Sequence, residues 1–277
     1  MATTQARRRR ALSRRAATAA TGYLRKHAFV PRYGAEQALS LVTDDGVRLS
    51  AARLAGPADA VCTVVLVHGF SQSSRMPRIH AFAHALSRRA HVIVPDLRGH
   101  GASGGVSSMG PKEPLDVKAA VEAADPALPV VTVGISLGGA AVLLHAGTFG
   151  GVAGVVSISG PAWWGAWDTP ATKRIQHYAL TPAGRRFLAV FLRTRIAQVC
   201  EGVPHAEEQV RAIAPAFTLV VADPADHYFA EEHPQTIYRW AQEPKDLWLL
   251  PGKGHGTDLL SPAFTDRLLA DLERRLR

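Results

Sequence analysis

The stretch Gly134-Ile135-Ser136-Leu137-Gly138 sets a serine between two glycines, directly after the apolar run "LPVVTV" and before "AAVLLHA". A serine on a sharp strand-to-helix turn exposes its hydroxyl above a sheet, and the first turn of the helix favours developing negative charge. Side chains two residues to either side would collide across such a turn, which glycine avoids. The chemistry this predicts is nucleophilic attack by Ser136. The competing reading is a glycine-rich packing loop with an incidental serine, and the flanking strand and helix patterns argue against it.

A serine hydroxyl is a weak nucleophile without a base, and the chain offers twelve histidines. His255, in "LLPGKGHG", follows the last apolar strand pattern and precedes the last helical one, so its loop falls at the same end of a parallel sheet as Ser136. It is the preferred base. His227 and His233 lie near acids but not on a last-strand loop. His80 and His84 are spaced i, i+4 without the adjacent glutamate of a zinc-binding helix, and a solvated helix face is expected for them. No metal or cofactor is expected. The base needs a carboxylate to orient it. "ADPADHYF" supplies Asp226 as the preferred acid and Asp223 as the alternative. Asp223-Pro224 is turn chemistry, which gives Asp223 a structural role of its own.

These groups must be held by a scaffold, and the apolar patterning supplies one. "ALSLVTDDGVRLSAARL" predicts two strands about a turn. Then "VCTVVLVHG", "HVIVPD", "LPVVTVG" and "VAGVVSISG" read as short buried strands, separated by the helical patterns "RIHAFAHALSRRA", "EPLDVKAAVEAA" and "LGGAAVLLHAG". "FTLVVA" and "DLWLLPG" continue the strands, with "PQTIYRWAQ" and "FTDRLLADLERRL" as helices. Strand and helix in alternation call for an α/β domain, a mostly parallel sheet with helices on both faces. Ligands bind beyond the carboxyl ends of such strands, where the serine, aspartate and histidine motifs fall. The alternation breaks over about residues 161–214, whose aromatic and helical stretches carry no convincing strand and predict a cap insertion.

The chain has 277 residues and a formal charge of +9. Nine of its 32 Lys and Arg lie within residues 1–34, which hold no acid, leaving 23 basic residues against 23 acidic ones in residues 35–277. The basicity therefore belongs to an N-terminal arm. The arm is read as a solvated tail, suited to weak contact with an anionic membrane surface; no nucleic acid is expected as a partner. No apolar run approaches the ~20 residues that span a bilayer. Two cysteines, Cys62 and Cys200, cannot make a disulfide framework. A reducing, cytoplasmic setting is expected.

With "HGF" after the third strand, "DLRGHGASGG" after the fourth, then "GISLGG", the aspartate loop and "GHG" in that order, residues 36–277 resemble the α/β-hydrolase-fold serine hydrolases. "VSISGPAWW" and "ADHYFAEEH" also resemble a group of uncharacterised bacterial capped α/β hydrolases. The resemblance implies an α/β-hydrolase fold with a short helical cap and a Ser136–Asp226–His255 triad. It also implies an oxyanion hole formed by the backbone amides of Phe70 and Leu137, with His68 and Gly69 shaping that loop. One departure leaves Asp223 and Asp226 both open: Ala222 stands where the family usually ends this strand in glycine, and the spacing to Asp226 is four instead of three. The implied activity is hydrolysis of an acyl bond, an ester by base rate, on a small molecule. The alternative is a non-catalytic hydrolase-fold protein that binds a ligand or partner.

Two further motifs need a reading. Gly99, Gly101 and Gly104 satisfy G-x-G-x-x-G, but a dinucleotide fingerprint opens directly into a helix and "GVSSMGPKEP" does not. Asp96 and Arg98 are expected to lock this loop internally. Trp163, Trp164 and Trp167 either pack the cap on the body or line an apolar pocket. The cap's Lys173, Arg174, Arg185, Arg186, Arg193 and Arg195 are expected to be mostly solvated.

Overall fold

A computed structural model describes residues 36–163, 169–198 and 206–277. The basic arm, Trp164, Trp167 and Cys200 lie outside the described residues. The strands are β1 (Glu36–Val42), β2 (Arg48–Leu54), β3 (Thr63–Val67), β4 (His91–Pro95), β5 (Val130–Ile135), β6 (Gly154–Ile158), β7 (Phe217–Ala222) and β8 (Lys245–Leu249). They form one sheet in the order β1-β2-β4-β3-β5-β6-β7-β8. β2 runs antiparallel to both β1 and β4, and the remaining neighbours are parallel.

The continuous apolar runs are explained by burial on both faces. In β3, Val65 and Val67 join one core cluster, while Val64 and Leu66 point into the other. The first cluster is closed by α2 (Glu113–Glu122), α3 (Leu137–Phe149), α6 (Glu207–Arg211) and α7 (Glu232–Trp240). The second is closed by α1 (Pro77–Leu86) and α8 (Pro262–Leu276). Helix α3 is buried on every side from Leu137 to Ala146, as expected of an apolar helix in the middle of a layer. No helix among the described residues is long and apolar enough to cross a membrane.

Between β6 and β7 the alternation breaks as expected. Helices α4 (Pro170–Leu180) and α5 (Pro182–Phe191) occupy the insertion, each with proline at its first position and a threonine N-cap, Thr169 and Thr181. Helix does not run on through the whole of the described insertion. α5 stops at Phe191, and Arg193 adopts a left-handed φ of 47°. Thr194 and Ile196 then form isolated bridges to His100 and Ser107. Propensity favours continuing the helix, but the chain has to turn here so that Leu192 and Ile196 reach the small core beneath the insertion.

The loop after β4 is locked internally. Asp96 accepts from the amides of Ser74 at 2.7 Å and Ala102 at 3.0 Å. Arg98 donates through Nε to Asp116 at 2.8 Å and through both terminal nitrogens to Asp45 at 2.8 and 3.0 Å. The glycines here serve close packing: a Cβ on Gly99 would sit 2.4 Å from the Arg195 carbonyl oxygen. Helix α2 buries Glu113 and Asp116 completely. Both are partnered, Glu113 by Ser107, Ser108 and the Gly110 amide, Asp116 by Arg98.

Candidate active site

Ser136 sits between β5 and α3 with φ 55° and ψ −115°, a backbone that L residues rarely adopt. Its glycine neighbours are required by contact distances. A Cβ on Gly134 would lie 2.1 Å from the Gly138 carbonyl oxygen, and one on Gly138 would lie 2.4 Å from that of Val67. The turn is therefore too tight for side chains at 134 and 138, and Ser136 borders a cavity.

His255 Nε2 lies 3.0 Å from Ser136 Oγ, and its Nδ1 lies 2.6 Å from Asp226 Oδ2. A carboxylate opposite Nδ1 places the ring proton there and leaves Nε2 to accept from the serine. The Asp226 side chain is 1% exposed. Its other oxygen accepts from the amides of Tyr228 at 2.8 Å and Phe229 at 3.3 Å. Asp223 does something else. Its Oδ2 accepts from the amides of Lys253 and Gly254, both at 2.6 Å, and its Oδ1 from Ala225 at 2.9 Å. Burial opposes its ionisation, but these amides outweigh it and hold the carboxyl below the ordinary range. Asp223 thus fastens the two loops together, and Asp226 meets the imidazole.

The amides of Phe70 and Leu137 take part in no loop or turn hydrogen bond among the described residues, and both residues border the same cavity as Ser136. His68 is fully buried: Nδ1 faces the Gly69 carbonyl at 2.8 Å and Nε2 accepts from the Leu97 amide at 3.0 Å. That is a structural hydrogen-bond role. The Gly69 amide donates to the Gln72 side chain at 3.0 Å, which sets the loop presenting Phe70.

The cavity has a volume of about 370 Å³. Trp163 both borders it and stacks on His233 at 4.1 Å, so packing and lining coincide in one side chain. Sequence reasoning missed most of the rest. Met109 comes from the loop before α2, Ile175 from α4 and Leu188 from α5, and Tyr228 and Phe229 pack their rings 4.4 and 5.6 Å from that of His255. The aromatic pair following Asp226 in "ADHYF" was the available signal. Among the cap cations Arg174 also borders the cavity, while Lys173, Arg186, Arg193 and Arg195 are exposed. The expectation for His80 and His84 needs correction. Glu36, distant in sequence, turns toward both rings, so they are not a merely solvated helix face.

The buried imidazoles of His68, His100 and His145 carry an acid sensitivity. Burial pushes His68 down to about 4, and burial together with neighbouring His68 does the same to His100. His145 on α3 is likewise held at about 4 by burial, with Lys118 adding to the effect. Each binds its proton more tightly in the unfolded chain, at an ordinary pKa of ~6.5. Their stabilisation is therefore complete above pH ~6.5 and is lost as pH falls toward 4, on the order of 2–3 kcal/mol for each at most. Calorimetry from pH 7 to 4 should show Tm falling across that window. The slope should be shallower in His145→Leu, whose Nδ1 has no hydrogen-bond partner to lose. A flat Tm over this range would refute the assignment.

Comparison with known proteins accords with this architecture. Residues 64–275 match the profile described as the alpha/beta hydrolase family. Among curated proteins no sequence matches the chain. Among solved structures, the Pyrococcus furiosus esterase Pf2001 superposes with a TM-score of 0.71 at 19% identity, over 90% of this chain and 96% of that one. A putative aryl esterase from Burkholderia cenocepacia gives 0.64 at 19% identity, over 87% and 99%. The esterase domain of a Rhodothermus marinus protein gives 0.59 at 24% identity, over 86% and 96%. At these identities the structural likeness speaks for the fold, and the family match spans most of the chain. The chain belongs to the alpha/beta hydrolase family.

Proposed function

We propose that this protein is a serine hydrolase that cleaves small carboxylic esters with apolar acyl or alcohol groups through an acyl-enzyme. The observation that carries the reading is the unbroken contact from Ser136 Oγ through His255 to buried Asp226, on the wall of a largely apolar cavity. Ser136 Oγ attacks the ester carbonyl while His255 Nε2 takes its proton, and Asp226 stabilises the imidazolium that forms. The carbonyl oxygen, now negative, accepts from the amides of Phe70 and Leu137, each donor being worth roughly 10²–10³ in rate. His255 returns the proton to the departing alcohol. Water, deprotonated by His255, then attacks the acyl-enzyme and releases the acid. We take residues 161–214 as the cap, with α4 and α5 roofing the cavity through Ala171, Ile175 and Leu188.

The test is covalent labelling with a small organofluorophosphonate, followed by a panel of p-nitrophenyl esters of increasing acyl length. The expected result is stoichiometric phosphonylation at Ser136 and a turnover maximum at a short to medium chain, since a cavity of about 370 Å³ lies at the small end of ligand pockets. Folded protein that neither labels nor turns over any ester would sink the proposal.

A further inference from the structure

We propose that Glu36, His80 and His84 form a three-ligand site for a divalent transition-metal ion of the zinc class. Helix α1 brings His80 and His84 one turn apart, with ring centroids 4.4 Å from each other. The first residue of β1 turns its carboxylate between them: Glu36 Oε1 lies 2.6 Å from His80 Nε2 and 2.9 Å from His84 Nε2. The Glu36 side chain is 3% exposed, those of His80 and His84 18% and 35%. The three donor atoms lie within 4.8 Å of one another.

Hydrogen bonding accounts for only part of this arrangement. His84 Nε2 is in hydrogen-bond geometry with the carboxylate, whereas buried His80 Nε2, although closer, is not. The close approach of His80 Nε2 to Glu36 Oε1 is therefore not held by a hydrogen bond. Convergence of this kind is what a metal requires. A tetrahedral ion with bonds of about 2.0–2.1 Å places its donors about 3.4 Å apart, so the two spacings from Glu36 need open by under about 1 Å. Two imidazoles and one carboxylate suit zinc, cobalt or nickel, and lack the oxygens that calcium or magnesium demands. The partly exposed histidine side leaves room for water as a further ligand.

The site is remote from Ser136. Glu36 pairs with Leu54, which pairs with Val92 near the amino end of β4, whereas Ser136 stands beyond the carboxyl end of β5. An ion here would tie edge strand β1 to α1 and take no part in ester cleavage.

The full-length chain, stripped of metal, is titrated with Co²⁺ and then Zn²⁺. The expected result is one Co²⁺ per chain with the visible absorption of a four- or five-coordinate ion, displaced by Zn²⁺. Zinc at about a hundredfold excess over its Kd should raise Tm by roughly 5 °C, with ester turnover and its KM unchanged. Glu36→Gln, His80→Gln and His84→Gln should each weaken binding at least about tenfold while keeping wild-type turnover. X-ray absorption on the zinc-loaded wild type, which needs no variant to fold, should report two imidazoles and oxygen at ~2.0 Å. Absence of both the Co²⁺ spectrum and the Tm shift would overturn the proposal. So would sulfur ligation, or zinc binding that survives all three substitutions.

Discussion

Ser136→Ala should lower ester turnover by about 10⁴–10⁶-fold and abolish organofluorophosphonate labelling, with little change in Tm. The nucleophile and base act as a unit, so removing the serine costs nearly what removing every member costs, and only oxyanion stabilisation and substrate positioning remain. Asp226→Asn should cost about 10⁴-fold in kcat with KM nearly unchanged. Its amide would oppose the Nδ1 proton of His255 and favour the wrong tautomer. Asp223→Asn should behave differently. Asp223 accepts from Lys253, Gly254 and Ala225 and does not touch the imidazole, so the loss should appear chiefly in Tm, with kcat falling less than about tenfold. Steady-state kinetics and thermal melts on the same three variants separate the two aspartates. If Asp223→Asn lost 10⁴-fold while Asp226→Asn kept its rate, the acid would have to be reassigned.

The largest stability effect is expected at Arg98. This side chain is 2% exposed and is held by Asp116, which is fully buried, and by Asp45. Arg98→Met leaves the Asp116 carboxylate without its counter-charge in a site closed to water. Breaking one half of a buried pair costs about 3–5 kcal/mol, mostly the desolvation of the partner left behind. Urea titration should therefore show a lower midpoint for Arg98→Met, and Arg98→Met/Asp116→Leu should recover most of the loss. A change below about 1 kcal/mol in the single variant, or no recovery in the double, would contradict this account. The Asp45 arm adds a signature at low pH. Its hydrogen bond from Arg98 holds it at about 2, so its share of the stability is present above pH ~3.9 and is lost as pH falls through 2.

Much of the site could be read directly from the chain. Gly134, Ser136 and Gly138 encode their turn because the constraint is local: atoms two residues apart collide unless the side chains are hydrogens. Strand after strand was legible because burial on both faces demands an unbroken apolar run, as in "VVTVG". Once the alternation implied a parallel sheet, Ser136 and His255 had to fall at the same end of it.

The rest depended on groups that meet only after folding. Asp223 and Asp226 share one turn, and nothing in "ADPADHYF" says which carboxylate receives the amides of Lys253 and Gly254 and which the imidazole. That is settled by how the loop after β8 returns across the loop after β7. Arg98 could be expected to lock a loop, but Asp45 and Asp116 come from a turn before β2 and a helix after the loop. Their burial is tolerable only because all three charges meet. Glu36 lies 44 residues from His80 and has no spacing relation to it; an antiparallel edge strand laid beside α1 creates the contact. By itself the sequence determined the alternating elements, the strained serine turn and the order of the serine, aspartate and histidine motifs, since steric conflict and hydrophobic periodicity act over a few residues. Only the tertiary structure decided which polar groups pair and what lines the cavity, because buried charges and pocket walls are assembled from chain segments that periodicity does not connect.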